Sequence, residues 1–172
     1  MTQIIYEQYK PIVDDTVFIA QGAMIIGNTH IQADSNIWYN CVLRGDVNEI
    51  RIGKRTNIQD LTLIHVATFG QGCYVGDDVT VGHSVILHAC TIGHKAFVGM
   101  QSCILDGAII EDGAMLGAAS LLTPNKRIPS GELWAGSPAK FMRHLTDDDY
   151  KMIEWSSHHY VQLGKKHKGI CP

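Results

Sequence analysis

Aliphatic residues recur every six positions over most of this chain. Val13, Ile19, Ile25, Ile31, Ile37 and Leu43 open the series, and Ile52, Ile58 and Ile64 continue it. Val75, Val81 and Leu87 follow, then Ile92, Val98, Ile104, Ile110, Leu116 and Leu122. Four residues after many of these stands a small or β-branched residue, such as Val17, Ala23, Thr29, Ser35 and Cys41. A period of six is neither the 3.6 of a helix nor the bare alternation of a hairpin strand. Glycine and β-branched residues are also too frequent for a helix. The pattern predicts a parallel β-helix in which each hexad gives one short strand and one corner. Three hexads close one coil, so these eighteen positions predict six coils, stacked about 4.8 Å apart.

Two breaks interrupt the period. Residues 47–51 lengthen one corner by three residues, and residues 66–74 carry a five-residue excess that should bulge as a loop. After Thr123 the repeat dissolves into a Pro/Gly-rich return segment. Thr146 then reads as a helix N-cap, with Asp147, Asp148 and Asp149 suited to the positive end of the helix. Tyr150, Ile153, Ser157 and Val161 follow at helical spacing, Gly164 reads as the stop, and KKHK at 165–168 as a solvated helix end. The organisation expected is a β-helix domain with its return segment over 1–145 and a packed helix over 146–172.

Composition narrows the function. A net charge of −3 over 172 residues gives no field to attract nucleic acid or a membrane surface. No apolar run approaches the length of a membrane span. The first residues, MTQIIYEQYKP, lack the basic and apolar regions of a secretory signal. Five cysteines, without a CxxC pair, point to reduced thiols and a cytoplasmic location.

The candidate chemistry lies in VGHSVILHAC, residues 81–90. His65 follows Ile64, and His88 follows Leu87. Both are second in the third hexad of consecutive coils, so they should stack on one outer face. Two imidazoles one strand spacing apart can converge on a zinc ion. His83 is third in the second hexad of the coil that carries His88. It belongs to a different face, which its own chain cannot easily bring to the pair. A threefold ring of prisms could, because one face of each subunit then meets a different face of the next. Arg44 lies one coil below His65, and Asp60 one coil below His83, so Arg44 should meet the neighbour's Asp60 beneath the metal. Gln59 stands beside Asp60, and Asp46 follows Arg44 at the first break. His30, His94, His144, His158, His159 and His167 fall outside these columns and read as surface residues.

The residues RGD at 44–46, NIQD at 57–60, His65 and GHSVILH at 82–88 resemble the γ-class carbonic anhydrases and their close bacterial homologues. The similarity runs over about residues 11–145 and includes GSPAK at 136–140. The resemblance implies a left-handed β-helix and a homotrimer with metal sites between subunits. Each site would use His65 and His88 of one chain and His83 of the next. It implies zinc, with iron or cobalt as possible substitutes, and hydration of carbon dioxide to bicarbonate by metal-bound hydroxide. Gln59 would orient the reacting oxygen, while Arg44, Asp46 and Asp60 would hold the interface and the ligands. Two positions depart from the family pattern. Val47 stands where some members have glutamate, and loop 66–74 has no acidic residue. Proton export should then depend on small buffers or on another group, and Tyr160 best matches a helix tyrosine that approaches the metal in shorter homologues. Three other functions remain open on the sequence: acyl transfer from coenzyme A, for which GSPAK is suggestive, metal-dependent acyl-coenzyme A hydrolysis, and a non-catalytic metal-binding role.

Overall fold

The computed structural model describes residues 3–169. The chain winds into a left-handed parallel β-helix of about seven turns, followed by one helix, α1, Asp147–His167. Register is set by the six-residue period. Val13, Ile31, Ile52, Val75, Ile92, Ile110 and Ile128 pair in sequence down one face. Ile19, Ile37, Ile58, Val81, Val98, Leu116 and Trp134 pair down a second. Ile25, Leu43, Ile64, Leu87, Ile104 and Leu122 pair down the third. These columns form one continuous core, with Val13 and Ile19 packed partly buried at its end.

The small position has a chemical reason as well as a steric one. Ser35 donates to Gly53 O (2.6 Å), Thr56 to Gly76 O (2.7 Å) and Thr62 to Gly82 O (3.1 Å). Each hydroxyl closes a corner by satisfying a carbonyl of the next coil, which would otherwise be buried without a partner. Close stacking of corners also fixes Gly82, because a Cβ there would lie 2.6 Å from Met100 N.

The three outer faces differ. One presents Ile12, His30, Arg51, Tyr74, Thr91, Ile109 and Arg127, and its middle is a network in which Arg51 reaches Glu49, and Tyr74 donates to Glu49 (3.0 Å). The second presents Phe18, Asn36, Asn57, Thr80, Phe97, Met115 and Leu133 and is covered by α1. The third presents Met24, Val42, Leu63, Ile86, Cys103 and Leu121, and none of the described residues covers its middle, where Leu63 and Ile86 are exposed.

Four expectations need correction. The repeat does not dissolve after Thr123, because Ile128 and Trp134 add a seventh turn and the chain then doubles back as an antiparallel pair, Glu132–Gly136 with Ala139–His144. Residues 47–51 carry the expected three-residue excess, but inside a continuous strand, Val42–Ile52, rather than in an open corner: Gly45 and Ile50 pair with Gly27 and Thr29, so the extra residues bulge opposite Asn28. Helix α1 runs through Gly164 to His167. Gly164 is there for close packing, since its Cβ would lie 3.2 Å from Asn36 Cβ and 3.4 Å from Phe18 Cβ. The KKHK end is docked rather than merely solvated: His167 packs on Phe18 and Trp38 and pairs with Tyr39 Oη (3.0 Å), and Lys168 bonds Val17 O (3.0 Å).

Thr146 caps α1 as expected and shares a reciprocal capping box with Asp149. Cys41, Cys73, Cys90 and Cys103 are free thiols, while Cys171 lies outside the described residues. Burial pushes the Cys41 thiol up to about 12, which leaves it protonated and inert at neutral pH.

Candidate metal centre

His65 and His88 lie on the uncovered face, at the ends of strands Leu63–His65 and Ile86–His88. Pairing sets Arg44 beside His65 and His65 beside His88, so the column expected from the period is present. The two imidazole rings lie 5.3 Å apart between centroids, tilted by 52°. His83 stands on the corner that leads onto this face. Asp60 is stacked one coil below it, since Ser84 N donates to Asp60 O (2.8 Å). The left-handed backbone at Leu61 and Ser84 turns both corners sharply. One chain thus carries two histidines at one edge of the uncovered face and the third at its other edge. Among the described residues, no three His, Cys, Asp or Glu side chains come together as a metal cage.

Each of the three histidines has one ring nitrogen against a carboxylate. His65 Nε2 lies 3.0 Å from Asp46 Oδ1, His83 Nδ1 lies 2.8 Å from Asp60 Oδ2, and His88 Nδ1 lies 2.6 Å from Asp106 Oδ1. The other nitrogen of each ring is left to act as a donor. Metal-binding histidines commonly have this arrangement, in which a carboxylate fixes ring and tautomer. Three neutral imidazoles suit zinc or another borderline divalent ion. The donor set therefore fits a metal, provided that a second chain supplies one of the three.

Arg44 bonds Asp46 within the chain. The pairing with Asp60 that the sequence suggests involves two chains, and here Asp60 bonds His83 and accepts from Tyr39 N (3.2 Å). Burial opposes ionisation of Asp46, but hydrogen bonds from Arg44 and His65 outweigh it and hold the carboxyl below its usual range. Gln59 is buried, and its amide donates to Asn57 Oδ1 (3.0 Å), which fixes the side chain beside the Asp60 corner. Tyr160 packs edge-on against Trp38, 5.6 Å between centroids. Its hydroxyl is pushed above the ordinary tyrosine value by burial and then by the negative charge of Asp60. This places Tyr160 on the His83 side of the face and leaves it a proton donor at neutral pH, with no tuning toward the value of about 7 that suits a shuttle.

Two acidic groups were not singled out from the sequence. Asp106 is third in the hexad stacked on that of His88, and an acidic residue diagonal to a candidate ligand could have revealed it. Glu7 sits on an N-terminal turn closed by mutual Tyr6 and Tyr9 backbone bonds (3.0 Å each). It shares a cleft of about 420 Å³ with Asp46 and Val47. No hexad register extends to that segment, so no periodic signal could place it. Among the histidines read as plain surface, His94 Nδ1 accepts from Asp77 N (3.0 Å), and His167 is part of the helix docking.

The chain is 51% identical over 163 residues to γ carbonic anhydrase 2, a mitochondrial protein of Arabidopsis thaliana. That match covers 92% of this chain and 59% of the relative, so the chain spans well under two thirds of its length. A carbonic anhydrase of Geobacillus kaustophilus is 41% identical over 165 residues, covering 96% of this chain and 90% of that protein. Among solved structures, a hexapeptide transferase family protein from Anaplasma phagocytophilum superposes with a TM-score of 0.92 at 47% identity, covering 96% of this chain and 97% of that one. No family model matches the chain.

Proposed function

The chain belongs to the γ-class carbonic anhydrase family, and on that premise we propose that it is a trimeric metalloenzyme that interconverts carbon dioxide and bicarbonate. The observation that carries this reading is the split ligand set: His65 and His88 in register on one edge of a bare face, and His83 on the other. His65 and His88 of one subunit and His83 of the next would hold the ion. The apolar ladder from Met24 to Leu121 lies between these edges, where a second copy would bury it. Leu63 and Ile86 are 37% and 41% exposed, as residues awaiting a partner would be.

The chain's own groups do the positioning. Asp46, Asp60 and Asp106 each fix a histidine ring. Gln59, held by Asn57, presents a rigid amide beside the Asp60 corner and would orient a small oxygen-containing substrate. When bound, the metal supplies Lewis acidity that brings the pKa of water toward 7. Arg44 neutralises Asp46 at the base of the histidine column. Burial, and then the charge of Asp60, raise the Tyr160 hydroxyl and so disfavour it as a proton relay. Glu7, across the cleft from Asp46, and small buffers are the available acceptors. Carbon dioxide hydration is therefore expected to climb with imidazole buffer concentration and then level off.

The test is elemental analysis and solution mass of protein purified without chelator, then hydration assays on the wild type and on His65→Ala, His83→Ala and His88→Ala. Near-stoichiometric metal in a trimer, lost in each variant, supports the reading. Mixing His83→Ala with His88→Ala subunits should restore some sites, because one kind of mixed boundary draws all three ligands from intact chains. A metal-free monomer that acylates an acceptor would move the assignment to acyl transfer. A metallated trimer that cleaves acyl-coenzyme A and leaves carbon dioxide untouched would move it to thioester hydrolysis.

A further inference from the structure

We propose that Asp106 sets the tautomer of His88 and thereby decides which ring nitrogen it offers to a metal. The proposal rests on the metal reading above and adds a positioning residue to it. His88 Nδ1 lies 2.6 Å from Asp106 Oδ1. A carboxylate can only accept, so the proton of the neutral ring must sit on Nδ1. Nε2 then keeps its lone pair. An unconstrained neutral imidazole favours the opposite form, with the proton on Nε2, and that form has no lone pair where a ligand needs one. The Asp106 contact therefore reverses an intrinsic preference before any metal arrives.

The backbone makes Asp106 a firm support. It stands at a corner, between the coil of His88 and the coil above. Gly107 N donates to Ala89 O (2.8 Å), and Asn125 N donates to Asp106 O (2.9 Å). Gly107 has φ +70, and a Cβ there would meet Asn125 Oδ1 at 2.3 Å, so a side chain at this corner would be strained and would displace the Asn125 amide. Ala89, directly after His88, is itself left-handed at φ 45. Ligand and acceptor thus sit on two adjacent corners joined by backbone bonds, and their spacing follows from the coil stacking. Among the described residues, the Asp106 carboxylate makes no other side-chain hydrogen bond, so its removal should disturb little besides His88.

The three carboxylate–histidine contacts are not equivalent. Asp46 also bonds Arg44, and Asp60 also accepts from Tyr39 N. Substituting either changes more than a ring. Asp106 is over half exposed and singly engaged, which makes it the clean position to vary.

The test uses metal-free full-length protein labelled with ¹⁵N-histidine. Two-bond ¹⁵N–¹H correlations report each ring's tautomer, and zinc affinity is measured by competition with a chelator. Wild type should show His88 with its proton on Nδ1. Asp106→Asn places an amide there that can donate to Nδ1, so the ring should move to the Nε2–H form and zinc affinity should fall about tenfold. Asp106→Glu keeps an acceptor and should restore the Nδ1–H form and most of the affinity. A wild-type His88 in the Nε2–H form overturns the proposal. So does an Asp106→Asn protein with unchanged tautomer and affinity. A wild type that binds no zinc would sink the metal reading on its own, and the tautomer spectra would still judge the Asp106 contact.

Discussion

Two faces of the same prism invert the usual relation between polarity and exposure. The face under α1 carries Asn36, Asn57 and Thr80, and all three are buried. The bare face carries Met24, Val42, Leu63, Ile86, Cys103 and Leu121 and leaves Leu63 and Ile86 open. The covered face can hold polar groups because its cover is matched to it. Asn57 donates to Thr80 Oγ1 (2.9 Å), and Thr80 pairs with Ser156 of the helix (2.8 Å). Such bonds fix one helix position on the prism, where an apolar surface would let it slide. The bare face has no such network in its middle and keeps its specific groups at its two edges, as the histidines and their carboxylates. A surface with an apolar centre and a polar rim is the pattern of an interface between chains.

The strongest way to break this comparison is a charge in the middle of the bare face. Ile86→Lys should leave each chain folded, because Ile86 points out of the prism. In the proposed trimer the same lysine would be buried without a partner, which no subunit boundary readily tolerates. Solution mass should fall threefold, and bound zinc should fall with it, while circular dichroism stays native. An unchanged mass would show that the ladder faces solvent.

A contrasting change on the covered face should act within one chain only. Thr80→Val preserves shape and removes the hydroxyl that both Asn57 and Ser156 use. Leaving buried polar groups unpaired costs about 1–3 kcal/mol. Denaturant unfolding should register that loss, with mass and metal content unaffected. A change in mass would mean that the helix face also belongs to the subunit boundary.

The comparison also shows what a sequence of this kind makes legible. Strict period six places all eighteen aliphatic positions in the core columns and, by itself, pairs His65 with His88. It failed where the period loses its aliphatic marker. Trp134 fills the column above Leu116, and an aromatic in a segment rich in glycine and proline carries no hexad signal. The excess at 47–51 was visible, but its form was not. Three extra residues can either loop out or be absorbed in a bulged strand, and only pairing with Met24–Ile31 decides it. Stacking along columns does not reveal Asp106, because its contact with His88 is diagonal. Glu7 was missed because its segment has no repeat at all.

A smaller effect should appear at the start of the helix that makes the cover. Side-chain bonds from Arg143, then the backbone and hydroxyl of Thr146, hold the Asp149 carboxyl well below the usual carboxylate range. A depressed carboxyl stabilises the fold above its unfolded pKa of about 4, and that contribution is lost as pH falls through the folded value. Helix docking in metal-free protein should therefore weaken from about pH 4 downward. Asp149→Asn should lower stability at pH 7 by about 1 kcal/mol, the ordinary worth of a cap, and should flatten the acid slope. An equal slope in both proteins would assign the acid transition to other carboxyls.

The smallest effect is expected near the far end of the same helix, and its sign is informative. In an open helix, Gly164→Ala would gain about 1 kcal/mol from propensity. Here the new methyl would meet Asn36 Cβ at 3.2 Å and Phe18 Cβ at 3.4 Å. The nearer contact requires a shift of a few tenths of an ångström, and Asn36 is not free to give it, because its Oδ1 accepts from Trp38 Nε1 (2.7 Å). Overpacking typically costs about 1–3 kcal/mol, and a shift of a few tenths of an ångström belongs at the low end of that range, so the two terms nearly cancel, with a net loss below about 1 kcal/mol. A clear gain in stability would mean that the helix lies farther from the prism than these distances say. A loss well beyond 1 kcal/mol would mean that Phe18, Asn36 and Gly164 set the helix position more firmly than the Thr80–Ser156 bond does, and the polar network of the covered face would then be secondary to shape.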